Sequence, residues 1–276
     1  MNRIFILAGQ SNISRLSIGE RDSSLELSNV KYFDIDTKDG QEYAAEPLMT
    51  FGHALGEAFP DDTIKIVQWA VEGSALRQEY SQVGGLQFPY WIGDDFNLRK
   101  LIKDEIKDYN FEADEINIVW SQGETDAIFG CPLNLYVYSL LWLLTTMGKM
   151  INPKLKVNAY LMPIGVNNLP AQDINAWNTI KAAYAVLDGI TTEYLETRIA
   201  AQHDDLPLID AYHHDLEGYI EIGRRLAQGI KFFKGVLEVE PVNEDQCQPS
   251  NLKADPRTGL PLTSMIHQTP ATKATT

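Results

Sequence analysis

Apolar residues follow two rhythms along this chain. Short, nearly continuous runs (Ile4 to Ala8, Ile64 to Ala70, Ile116 to Trp120, Val157 to Met162) suit strands buried on both faces of a parallel sheet. Between them the apolar positions take helical spacing. Leu48, Phe51, Leu55 and Phe59 mark a helix that stops at Pro60, and Leu98, Leu101, Ile102, Ile106 and Tyr109 mark a second with a charged outer face. Further helices are predicted over Leu133 to Met150, over Ala171 to Leu187, and from Asp215 through Leu216, Tyr219, Ile220, Gly223, Leu226, Ala227 and Ile230. Thr191 to Ile199 supplies the fifth strand. Val30 to Asp36, followed by Asp39-Gly40, reads as a strand entering a turn within an early insertion. Tyr80 to Phe96, with Gly84-Gly85 and the aromatics Tyr80, Phe88, Tyr90, Trp91 and Phe96, reads as a long structured loop. Strand followed by helix, repeated, predicts an α/β domain with its sheet covered on both faces.

Composition sets the domain count. A chain of 276 residues, 44% of them apolar, suits one large core over residues 1–240. Past Pro241 the sequence turns to Pro, Thr, Asn, Gln and Ser, which predicts an extended or disordered tail over 241–276. The net charge of -15 and the lack of a basic stripe argue against a nucleic-acid partner. Tyr136 to Met147 falls short of the roughly 18 residues of a membrane span, so no membrane partner is expected. Cys131 and Cys247 match no zinc or redox spacing. With no signal peptide apparent ahead of the first strand, a cytoplasmic or virion-associated location is expected. The glycines after the first strand fit neither phosphate-binding fingerprint, and neither metal nor cofactor is expected. Oligomeric state is not legible.

Candidate chemistry lies where the strands end. Ile4 to Ala8 stops at Gly9-Gln10-Ser11-Asn12, which brings a hydroxyl to the rim of the sheet and makes Ser11 a candidate nucleophile. Its base is sought in Asp210-Ala211-Tyr212-His213, where an Asp three residues ahead of a His folds back onto Nδ1 and leaves Nε2 for the serine. His214, His203 and His53 are the competing bases. Oxyanion donors are expected at the same edge: the Ser11 N–H, the Gly73 N–H after the second strand, and the Gln122 side-chain amide after the third. Asn12 and Glu124 are expected to brace the site, Glu124 with the option of orienting His213. Arg77, Tyr80 and Trp91 are candidate substrate contacts, the aromatics as a platform for a sugar ring. His203-Asp204-Asp205 and His213-His214-Asp215 fit no common metal spacing.

Four stretches carry a family resemblance: Ala8-Gly9-Gln10-Ser11-Asn12, Glu72-Gly73-Ser74, Trp120-Ser121-Gln122-Gly123-Glu124-Thr125-Asp126, and Asp210-Ala211-Tyr212-His213 with the helix after it. In this order they resemble the SGNH hydrolase superfamily, and within it the sialate O-acetylesterase-like carbohydrate esterases, including family six. The resemblance implies a three-layer α/β/α, flavodoxin-like fold with a five-stranded parallel sheet. It also implies metal-independent removal of acetyl groups from an acetylated carbohydrate, with Ser11, His213 and Asp210 as triad and Ser11, Gly73 and Gln122 as oxyanion hole. The second block departs from the family in having Glu72-Gly73-Ser74 and then Tyr80, which leaves the leaving-group side of the pocket open. Rival readings are a non-catalytic glycan-binding or phage structural module on the same fold, and a lipase- or thioesterase-like specificity.

Overall fold

In the computed structural model, residues 1–34, 44–83, 86–93, 113–168 and 173–236 are described. A parallel sheet of six strands forms the frame: β1 (Asn2–Gly9), β2 (Val30–Asp34), β3 (Thr63–Gln68), β4 (Glu115–Ser121), β5 (Val157–Leu161) and β6 (Leu195–Ile199). Their spatial order is β6-β5-β4-β1-β3-β2. From β1 the chain goes to one side, to β2 and β3, and then crosses to β4 on the other. The sheet therefore reverses its strand order at the carboxyl end of β1, where α/β sheets open a crevice for ligands.

The layered α/β/α architecture agrees with the alternation in the sequence, and the sheet has one strand more than expected. Val30–Asp34 is not an insertion beside the sheet. It pairs with β3 from Val30 opposite Ile64 to Asp34 opposite Gln68. Val30 and Tyr32 are buried and Lys31 is exposed, the alternation of an edge strand with one open face. That short pattern resembles a hairpin arm as much as a sheet strand. The fifth predicted strand begins at Leu195 rather than Thr191, because the preceding residues turn back with Thr192 N–H on Leu195 O at 2.8 Å.

Helices cover both faces. Ile4, Ile6 and Ala8 of β1 enter the core beneath α4 (Leu133–Ile151) and α5 (Ile174–Leu187), while Phe5 and Leu7 enter the opposite core beneath α2 (Glu46–Ala58) and α6 (Leu216–Phe233). Successive side chains of a strand point to opposite faces, so a strand with two cores reads as an unbroken apolar run. Asp215 caps α6 by accepting from Gly218 N–H at 2.9 Å. The loop after β3 is built of short ribbons, Ala75–Arg77 parallel to Tyr90–Ile92 and Gln82–Val83 antiparallel to Leu86–Gln87. No helix among the described residues is long and apolar enough to cross a membrane. The extension to Asp36, the turn Asp39-Gly40, Gly84-Gly85, Phe96, the helix over 98–109, the core's end near Val239 and the tail over 241–276 lie outside the described residues.

Candidate active site

Beyond the end of β1 the backbone makes a forced turn. Gly9 has φ of +131°, and a Cβ there would strike the carbonyl of Ser121, so β1 passes β4 only because the residue is glycine. Gln10 N–H then donates to Ser121 O at 2.8 Å, and Ser11 opens the short helix α1 (Ser11–Ser14). Ser11 is 4% exposed, and its backbone N–H, at the start of the helix, has no hydrogen-bond partner among the described residues.

His213 meets this serine from the loop ahead of α6. Its Nε2 lies 2.8 Å from Ser11 Oγ, and its Nδ1 lies 2.7 Å from Asp210 Oδ2. Asp210 also accepts the backbone N–H groups of Tyr212 at 3.0 Å and His213 at 2.9 Å, the local turn that folds the loop back on itself. Burial pushes the Asp210 carboxyl up, but the Tyr212 N–H, the imidazole and the His213 N–H hold it down, to about 2. An ionised carboxylate only accepts, so it fixes the Nδ1–H tautomer and leaves Nε2 to accept the serine hydroxyl.

A pocket of about 300 Å³ opens over Ser11 and His213. Gly73 lies on its rim with φ of +68°. Its carbonyl is held by Thr125 Oγ1 at 3.1 Å, and its N–H has no partner among the described residues. Phe88, Ile128, Phe129 and Tyr212 supply apolar walls. Of these, Ile128 and Phe129 were missed in the sequence. Both follow a polar strand end, in and just after the short helix α3 (Glu124–Ile128), where no periodicity marks them.

The two glutamines divide their work in an unexpected way. Gln122, fully buried, does not reach the pocket. Its Nε2 donates to Gln10 Oε1 at 3.1 Å, to Ser74 O at 3.0 Å and to the carboxylate of Asp126. Gln10 does line the pocket. Its Oε1 accepts from Gly123 N–H and from Gln122, both at 3.1 Å, and donors on that side leave Nε2 on the other. Gln10 Nε2 has no partner among the described residues. Gln122 thus orients the amide that the pocket meets.

Asn12 and Glu124 tie the loops together. Asn12 Nδ2 donates to Glu124 Oε1 at 2.7 Å and to Tyr212 O at 3.2 Å, and Tyr219 Oη donates to Asn12 Oδ1 at 3.1 Å. Asn12 therefore connects the end of β1, the loop after β4 and the histidine loop. Among the described residues Glu124 makes no hydrogen bond to His213, so its link to the histidine runs through Asn12 and the Tyr212 carbonyl. Burial pushes the carboxyls of Glu124 and Asp126 up to about 7, against the bonds that Glu124 takes from its own N–H and Asn12 and that Asp126 takes from Leu76 N–H and Gln122.

Three expected substrate contacts lie elsewhere. Trp91 is fully buried, packed edge-on against Trp120, and its Nε1–H donates to Ser74 Oγ at 3.0 Å. Ser74 Oγ in turn donates to Gly9 O at 2.9 Å, so this tryptophan braces the turn below the site. Tyr80 packs half-buried against the core. Arg77 pairs with Glu79 at 2.6 Å and lines a separate surface pocket with Ile92. The rival histidines are committed to other partners. His203 Nδ1 lies 2.7 Å from His214 Nε2, their outer nitrogens face Pro163 O and Pro207 O, and His53 sits in α2 against Leu25 O.

The chain folds as a six-stranded parallel sheet between two layers of helices. It belongs to the family described as carbohydrate esterase, sialic acid-specific acetylesterase, which matches residues 26–231, a region that begins after Ser11. A solved protein from Arabidopsis thaliana shares the fold at a TM-score of 0.57 and 17% identity, over 85% of this chain and 99% of its own. A carbohydrate acetylesterase from Xanthomonas citri shares it at 0.55 and 12%, over 83% of this chain and 55% of that one. This chain therefore spans about half the length of the Xanthomonas protein. No curated protein matches the chain.

Proposed function

We propose that the protein removes O-acetyl groups from a carbohydrate through an acetyl-enzyme on Ser11. The observation that carries this is the continuous chain Ser11 Oγ, His213, Asp210 at 2.8 and 2.7 Å, beside backbone N–H groups with no partner among the described residues. His213 Nε2 takes the hydroxyl proton as Oγ bonds to the acetyl carbon, and the carbonyl oxygen becomes an oxyanion. The Ser11 and Gly73 N–H groups and Gln10 Nε2 receive that charge, with Gln122 holding Gln10 in place. The imidazolium passes its proton to the departing sugar oxygen, and the C–O bond to the sugar breaks. A water, deprotonated by the same Nε2, then attacks the acetyl-enzyme, and acetate leaves as Ser11 regains its proton. A volume near 300 Å³ is at the small end of ligand pockets, roughly 300–1,000 Å³, which suits an acetyl group better than a long acyl chain.

The test is acetate release from a panel of O-acetylated and N-acetylated glycans by the wild-type protein and Ser11→Ala. Release from the esters that disappears in the variant is the expected outcome. A protein that binds these glycans, releases no acetate and leaves Ser11 unlabelled by a fluorophosphonate would instead be a binding module.

A further inference from the structure

Among its described lining residues the pocket has carboxylic side chains and one basic side chain, His213, the proposed base. Glu72 and Glu124 line it, Glu124 held partly protonated by burial, Asp210 sits ionised behind His213, and no Lys or Arg is among its described lining residues. Arg15 follows α1 nearby, but its Nε already donates to Glu72 Oε1 at 3.1 Å. A substrate carboxylate would have to displace Glu72 to reach it. The remaining walls, Phe88, Ile128, Phe129 and Tyr212, offer apolar faces on which a carboxylate would lose water and gain no partner. The net charge of -15 adds a long-range repulsion that salt screens over about 10 Å.

We infer that this site takes acetyl esters of uncharged sugars and discriminates against those with a carboxylate beside the ester. The family's description names sialic acid, whose carboxylate is such a group. The pocket of this chain provides aromatic faces for the apolar side of a neutral ring and, among its described lining residues, no Lys or Arg to neutralise an acid. The inference rests on the serine-esterase reading and narrows its substrate class.

Methyl esterification of a substrate carboxylate removes the charge with little change in shape, and so isolates the term. The intact protein is assayed on an O-acetylated sialoside as the free acid and as its methyl ester, on an O-acetylated neutral pyranoside, and on 4-nitrophenyl acetate. Expected is a kcat/KM at least about tenfold higher for the methyl ester than for the free acid, equivalent to about 1.4 kcal/mol. The neutral pyranoside groups with the methyl ester. The gap narrows in high salt and in Glu72→Gln, which removes one carboxylate and releases Arg15. A free acid cleaved as well as its methyl ester, or a gap that neither salt nor Glu72→Gln alters, would overturn the inference. Failure of the serine reading shows separately, as 4-nitrophenyl acetate hydrolysis that survives Ser11→Ala.

Discussion

Gln10→Glu separates the two glutamines. It retains the length of the side chain and the Oε1 that accepts from Gly123 N–H and Gln122, and exchanges only Nε2 for oxygen. If Nε2 receives the oxyanion, one donor is lost, which costs about 10²–10³ in kcat, or about 2.7–4 kcal/mol. The new carboxylate faces the developing charge, so this range is a lower bound. The loss falls on kcat with KM little changed, since the bond forms only as charge develops. Gln122→Glu behaves differently. It turns an oxygen toward Ser74 O, Gln10 Oε1 and the Asp126 carboxylate, all buried, and leaves acceptors unsatisfied at about 1–3 kcal/mol each. For a domain of this size each kcal/mol lowers Tm by about 2–4 °C. The assay is steady-state hydrolysis of 4-nitrophenyl acetate beside thermal melts of both variants. A Gln10→Glu protein within about tenfold of wild-type kcat, or a Gln122→Glu protein with native Tm and a large loss of kcat, would return the donor role to Gln122.

Two further outcomes follow from the buried groups. Trp91→Phe removes the donor to Ser74 Oγ and should cost about 1–2 kcal/mol of stability, read as a Tm lowered by a few degrees, with KM unchanged because Trp91 does not line the pocket; a raised KM would restore it as a substrate contact. Asp126 has its folded-state pKa raised, to about 7, so its folded form holds a proton that the unfolded chain has released, and its contribution to stability is lost as pH rises through 7. Asp126→Asn keeps an acceptor for Leu76 N–H and Gln122 without that titration. In melts from pH 3 to 9 the variant should match wild type below about pH 4 and gain on it up to about pH 8. A constant difference across the range would contradict the burial argument.

The fold was legible where physics makes it periodic. β1, β3, β4 and β5 are covered on both faces, so their apolar runs stand out, and the glycine-bearing stretches after β1, β3 and β4 mark the edge where the site forms. β2 was misjudged because an edge strand with one open face has only a few residues of alternation. Ser11, Gly73, Asp210 and His213 could be proposed because each follows a recognisable break and has a chemistry that needs the others. The sequence favours Gln122 as the side-chain donor and gives no sign of Gln10, since both flank strand ends and only the backbone N–H of Gly123 decides which way the Gln10 amide turns. Trp91 looked like a sugar platform because aromatics in a loop signal either recognition or a buried cluster, and its full burial under Trp120 shows the second.

The central claim is tested most directly by rapid quench during turnover of an acetylated pyranoside, followed by peptide mapping of the protein. The account predicts an acetyl group on Ser11 Oγ, accumulating in wild type and absent from Ser11→Ala and His213→Ala. Sustained acetate release by Ser11→Ala at the wild-type rate, with no acetylated serine in either protein, would contradict it.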